Sequence, residues 1–161
     1  MEIFTVSFFG HRKIDDPLSI DRKLDALIRC LLLTKPYVEF LVGRDGDFDQ
    51  LVSSAIRRAK RTIRDDNSSH VWVMPYMTAE YRNYPDDYHE YYDEIEICEA
   101  AAWSHYKAAF QIRNREMVGK SHLAVFCIDH HTGGAWQTFQ YAQKQGTPCI
   151  NLHTAALGEL E

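Results

Sequence analysis

Three short stretches carry the residue types that bind phosphate and ribose. They read Gly10-His11-Arg12, Gly43-Arg44-Asp45-Gly46-Asp47-Phe48-Asp49 and Asp129-His130-His131-Thr132-Gly133-Gly134-Ala135. Glycine lets a backbone approach a phosphate closely, and a helix N-terminus offers unpaired N–H groups and partial positive charge. Arginine adds bidentate phosphate recognition. Asp45 and Asp49 cannot stabilise a phosphate and suit ribose hydroxyls or a helix cap instead. One such loop is an ordinary strand-to-helix turn, and three of them make a constellation. None is a GxxxxGK[ST] phosphate loop or a GxGxxG dinucleotide fingerprint.

The elements that must position these loops follow from local pattern. Ile3–Phe9 is β-branched and aromatic and closes at Gly10, which predicts a strand. Asp16-Pro17 supplies an N-cap and a first-turn proline to a helix with Ile20, Leu24, Leu27, Ile28 and Leu31 on one stripe. Tyr37–Val42 is a second strand. A helix over about 49–64 buries Leu51, Val52, Ala55, Ile56, Ala59 and Ile63, and leaves Arg57, Arg58, Lys60, Arg61 and Arg64 to face water. Val71–Met74 and Ser121–Ile128 are the third and fourth strands. A helix over about 135–145 stops at Gly146 and Pro148, and residues 148–152 are the fifth strand. Strand and helix alternate, so the expected fold is α/β and Rossmann-like. It has a mostly parallel, five-stranded or slightly larger sheet with helices on both faces. In such a sheet ligands bind at the carboxyl ends of the strands, where all three loops fall.

Residues 79–99 break the rhythm with Tyr81, Tyr84, Tyr88, Tyr91, Tyr92 and eight acids against Arg82. That segment carries −7, which leaves +2 for the rest of a chain whose total is −5. With no Gly or Pro between Pro85 and Gly119, much of 89–118 is expected to be helical. The tyrosines suit an amphipathic cover over the sheet edge, a lid over a ligand or an oligomer interface. Trp103, Tyr106 and Phe110 sit at helical spacing, which favours core or interface.

With 161 residues, 45% of them hydrophobic, the chain predicts one domain, 1–161, with an acidic tyrosine-rich insertion at about 79–110. The apolar run Ala26–Leu33 is interrupted by Arg29 and too short to span a bilayer, so no membrane is expected. No secretory signal opens the chain, and Cys30, Cys98, Cys127 and Cys149 are widely spaced. That argues for reduced thiols in a cytoplasm. A net acidic chain is a poor candidate for sequence-independent nucleic-acid binding, so nucleic acid is not an expected partner. Asp129, His130, His131 and His89 lack the HxxxH or HExxH spacing of a helical metal site, and no metal or cofactor is expected. Cys127 lies in an apolar strand and reads as inert packing, as do Cys30 and Cys149.

The same motifs, Phe9-Gly10-His11-Arg12, Val42–Asp49, Ile112-Arg113-Asn114-Arg115-Glu116-Met117-Val118 and Asp129–Ala135, resemble the SLOG (SMF/DprA–LOG) superfamily. Within it they are similar to small YpsA-like proteins of Gram-positive bacteria and their phages. The resemblance covers nearly the whole chain. It implies a Rossmann-like fold that binds nucleotide-derived ligands, as do LONELY GUY phosphoribohydrolases and the sensor domains of Thoeris effectors. Arg113 or Arg115 with Met117 matches the arginine motif of the LONELY GUY enzymes. Gly133-Gly134 matches their paired glycines, but Phe139 and Gln140 stand where that motif has glutamates.

Three functions follow as expectations. The first is binding of an NAD- or ADP-ribose-type small-molecule nucleotide, for sensing or sequestration, by a homo-oligomer. Its residues would be Gly10, His11, Arg12, Gly43, Arg44, Asp45, Gly46, Asp49, Arg113, Arg115, Thr132, Gly133, Gly134 and Ala135. In a phage-borne chain, sequestering a host defence signal would fit. The second is a nucleotide N-glycosidase using Glu116 and Arg113, with Asp45 or Asp129 as further carboxylates. The third is a protein-interaction module that uses the acidic segment.

Overall fold

The computed structural model describes residues 2–160. Six strands form one parallel sheet: β1 (Ile3–Gly10), β2 (Tyr37–Val42), β3 (Ser68–Met74), β4 (Glu94–Ile97), β5 (Leu123–Cys127) and β6 (Cys149–Asn151), in the order β4-β3-β2-β1-β5-β6. The helices are α1 (Pro17–Thr34), α2 (Asp47–Thr62), α3 (Ala79–Asn83), α4 (Pro85–Tyr91), α5 (Glu99–Ala102), α6 (Tyr106–Lys120) and α7 (Gly133–Gln145), with a 3-10 turn at Leu157–Leu160. The chain therefore builds β1 to β4 outward in one direction. It then returns through α5 and α6 to place β5 on the free side of β1. The order reverses between β1 and β5, and a doubly wound sheet binds its ligands in the crevice at such a point.

Period-two alternation assigns each strand residue to a layer. Val6, Phe8, Val38, Phe40, Val42, Trp72, Met74 and Val125 pack under α1 and α2. Phe9, Leu41, Val71, Val73, Ala124 and Phe126 pack under α6 and α7. Leu24, Ile28 and Leu32 of α1 are fully buried, each contributing about 1.5–3 kcal/mol. Asp16 caps α1 by accepting from the Ser19 N–H at 3.2 Å, one turn after the chain leaves the site.

The fold class is the expected one, and three local expectations change. Much of 89–118 is helical as expected, in α5 and α6, but an unforeseen edge strand β4 interrupts it where Glu94-Ile95-Glu96-Ile97 pairs with Val71–Met74. Four residues of strict alternation are too short to outweigh a run without Gly or Pro, and charged edge residues are what edge strands carry. Strand β3 starts at Ser68 because tertiary partners hold its polar start. Lys60 Nζ donates to the Ser68 carbonyl at 2.8 Å, and Asp93 accepts from the His70 N–H at 2.8 Å. The basic face of α2 is correspondingly less solvated than expected. Lys60 pairs with Asp93 at 3.0 Å, Arg58 bridges Asp21 and Asp25 of α1, and Arg57 lies 4.2 Å over the Tyr91 ring. Among the described residues no helix is long and apolar enough to cross a membrane.

The tyrosine-rich segment covers the β3 end of the sheet. Tyr81, Tyr88 and Tyr92 surround the Trp72 ring at 6.1, 5.2 and 5.3 Å, and Tyr92 is buried. Tyr84 stays exposed.

Candidate functional site

A cleft of about 450 Å³ opens at the switch point. Its floor is the end of β1, from Phe8 through Gly10 to His11 and Arg12, and its walls are α6 and the start of α7. Asp45 and Asp49 close one side, and Phe110, Gln111, Arg113 and Asn114 face Gly133, Gly134 and Ala135 across it.

Two glycines explain the shape. A Cβ on Gly10 would stand 2.4 Å from the Phe48 ring, so Gly10 lets α2 seat Phe48 beneath the end of β1. Gly133 has φ +89° and open space around it, so the chain turns into α7 without a side chain over the helix N-terminus. Thr132 stands at the N-cap with no side-chain cap bond, which leaves the first-turn N–H groups available to an anion.

A polar network fixes the far wall. Arg113 is buried, with its guanidinium donating to the Val73 carbonyl at 3.2 Å and to Asn114 Oδ1 at 3.0 and 3.2 Å. Asn114 Nδ2 donates to Thr138 Oγ1 at 3.0 Å, and Thr138 Oγ1 donates to the Gly134 carbonyl at 2.9 Å. This chain ties α6 to β3 and to the first turn of α7. Burial lowers the Arg113 pKa, with Asp49 and Asp45 opposing. Burial raises the Asp49 carboxyl to about 7, against the pull of Arg113 and with help from Asp45. Gly43 lies between these two groups. Its Cβ would meet Asp49 Oδ2 at 2.9 Å and the Arg113 guanidinium at 3.4 Å.

At the other end His11 and His130 stack at 3.7 Å between ring centroids, 10° from parallel. His11 Nε2 lies 3.6 Å from Asp129 Oδ1, and His130 Nδ1 lies 2.6 Å from the same oxygen. The His11 pKa is lowered, first by burial and then by His130, with Asp129 opposing.

The expected site residues divide into two groups. Gly10, His11, Arg12, Asp45, Asp49, Arg113, Gly133, Gly134 and Ala135 line the cleft, with Gly43 and Gly46 behind it and Thr132 at the start of α7. Gly46, with φ +111°, packs a Cβ position 2.8 Å from the Arg12 Cα. Arg44 is elsewhere. It stacks 4.7 Å over Tyr88, donates to the Tyr92 hydroxyl at 3.3 Å and lines a separate groove with Gln50, Tyr84 and Asp87. Arg115 and Glu116 point away to the outer face of α6, Arg115 over Tyr141 and Glu116 beside Lys120. Arg115 follows Arg113 by two residues, which turns it off that face of the helix, and Glu116 lies one turn further along α6, past the end of the cleft. The sequence reasoning missed Phe110, Gln111, Asn114 and Thr138. Phe110 stands three residues before Arg113 and Asn114 four before Val118, a helical spacing that was available as a signal.

No protein-family model matches the sequence, and no curated protein matches it. The fold is shared with DNA processing protein A from Helicobacter pylori, whose single-stranded DNA binding mode has been described. The two superimpose with a TM-score of 0.62 at 14% identity, covering 91% of this chain and 63% of that one. DNA processing protein A from Streptococcus pneumoniae gives a TM-score of 0.64 at 14% identity, over 91% of this chain and 49% of the other. The chain thus spans less than two thirds of either protein. The likeness is one of fold, and it agrees with the SLOG-type architecture at that coarse level.

Two expectations are corrected here. Nucleic acid was set aside and a small nucleotide-derived molecule preferred, whether bound or cleaved, with a protein-interaction role in reserve. The fold proves to be that of a protein that binds single-stranded DNA, which overturns that preference. The flaw lay in reading total charge as local potential. Screening confines a charge to roughly 8–10 Å, and the −7 of residues 79–99 is gathered toward the β3–β4 end, away from the β1–β5 cleft.

Proposed function

We propose that this chain binds single-stranded nucleic acid along the carboxyl edge of its sheet. The cleft takes the sugar-phosphate backbone, and the α5–α6 connection with the start of α6 supplies stacking surfaces. The observation that carries this reading is a set of aromatic side chains close in sequence, one in the cleft and two exposed. Phe110 lines the cleft, Tyr106 is 61% exposed and Trp103 is 92% exposed. A tryptophan so fully in water has no folding role. An unpaired base stacking on it would remove that apolar surface from water, at about 1–3 kcal/mol per base.

The phosphate contacts fit the same ligand. Arg12 is exposed at the cleft mouth, and the uncapped N-terminus of α7 faces it. A duplex offers no free base face to Trp103, so the preference is for single strands. The SLOG-type fold, shared with a single-stranded DNA binder, supports this reading. The four motifs suit the YpsA-like kind, with residues 1–161 read as one unit. The four free cysteines suit a reducing compartment.

Fluorescence anisotropy with a labelled oligothymidylate tests the proposal. Binding at low salt is expected to weaken about 5- to 100-fold in W103A, which removes one stacking platform. R12A should flatten the salt dependence by about one phosphate contact. A folded protein with no affinity at low salt, or binding indifferent to both variants, would overturn it.

A further inference from the structure

The triad of His11, Asp129 and His130 presents three ligand atoms that all lie within 4.8 Å of one another. Its least exposed member is the informative one. The His11 side chain is 9% exposed, and its Nε2 is buried with no hydrogen-bond partner. A buried imidazole nitrogen left unpaired carries a desolvation cost that a partner would remove. Asp129 Oδ1 lies 3.6 Å from that nitrogen, beyond hydrogen-bond distance. A cation held between the two would give the buried nitrogen the partner it lacks.

We propose that His11 Nε2, Asp129 Oδ1 and His130 form a binding site for a borderline divalent transition metal of the zinc type. The donor set decides the class. Two imidazoles and one carboxylate suit Zn²⁺, Co²⁺ or Ni²⁺, whereas Mg²⁺ and Ca²⁺ require oxygen shells. Ligands about 2.0–2.2 Å from a tetrahedral ion stand roughly 3.3 Å apart, and the present separations of 3.6 and 2.6 Å bracket that value. The His11 and His130 rings are stacked, so one must turn to bring its in-plane lone pair to the ion; His130, 54% exposed, rotates out of the stack while His11 stays packed. Three protein ligands leave at least one position open, the pattern of sites that hold a water or an exchangeable anion. His153 lines an adjoining hollow of about 180 Å³ with His11 and Asp129.

Sequence spacing hid this site. His130 and His131 are adjacent and diverge, with His131 stacked on Trp136 at 4.1 Å. The true partner of His130 is His11, delivered from β1 by the pairing of Gly10 with Cys127.

The site is independent of the nucleic-acid reading and is tested without it. Protein stripped with a chelator is titrated with Co²⁺, followed by visible absorption, and with Zn²⁺, followed by long-range ¹⁵N spectra of the histidines. Expected are a saturable Co²⁺ band at one equivalent and Zn²⁺-induced shifts at His11 and His130. His105 and His122 should stay unmoved. D129N is expected to weaken binding tenfold or more, and H131Q to leave it unchanged. No Co²⁺ band at millimolar metal would overturn the proposal. So would shifts confined to His89, His131 or His153, or full affinity in D129N. Should D129N fail to fold, the histidine spectra of the unaltered protein still decide.

Discussion

Replacing Asp49 with asparagine should make the protein progressively more stable than the parent as pH rises. The Asp49 carboxyl is raised from 3.8 to about 7, chiefly because burial disfavours its charged form. Between those two values the native state holds a proton that the unfolded chain has released, so parent stability falls as pH increases. The linkage relation puts the penalty at about 2 kcal/mol at pH 5 and about 4 kcal/mol at pH 8. The advantage of D49N over the parent therefore widens by about 2–3 kcal/mol across that interval, a ceiling because water reaches part of the residue. Asparagine also leaves the buried Arg113 guanidinium without the Asp49 carboxyl, and that cost is constant because asparagine does not titrate. It cancels in the difference between the two pH values. Urea unfolding of both proteins at pH 5 and pH 8 measures the quantity directly. A stability difference that stays the same at both pH values would refute the claim that this carboxyl is held protonated at the edge of the cleft.

Two further substitutions probe the scaffold. G10A places a methyl 2.4 Å from the Phe48 ring, and overpacking of this kind costs about 1–3 kcal/mol in a denaturant midpoint measurement. His70 is buried, bonded to Ser53 at 2.9 Å, and burial depresses its pKa to about 4. The unfolded chain takes up that proton first, near pH 6.5, so the parent should lose up to about 3 kcal/mol as pH falls from 6.5 to 4. H70Q should lack this acid-side loss, the opposite slope to that of Asp49, and unchanged acid sensitivity in H70Q would contradict it.

Much of the architecture was legible because local pattern and tertiary packing agree. Tyr37–Val42 is a strand by composition and by structure, since a β-branched, aromatic run buried on both faces has no competing solution. Asp16-Pro17 marks the start of α1 in both, because a cap and a first-turn proline act within one turn. Edge strand β4 was not legible. Its four residues derive their conformation from Val71–Met74, 23 residues earlier. The site followed the same division. The glycine and arginine loops marked the edge at which the cleft opens, while the assignment of Arg44 to the tyrosine groove and of Arg115 and Glu116 to the outer face needed the helices in place.

The sequence by itself determined the alternation of strands and helices, and with it a parallel sheet whose loops gather at one edge. Handedness and chain connectivity leave few other arrangements. Tertiary structure alone decided which residues meet at the switch point. Insertion of β5 beside β1 brings His11 against His130 and Asp129 across more than a hundred residues, and sets Arg113 against Asp49. Those pairings depend on strand order and register. Both are set by burial summed over the whole core, which no short stretch of sequence encodes.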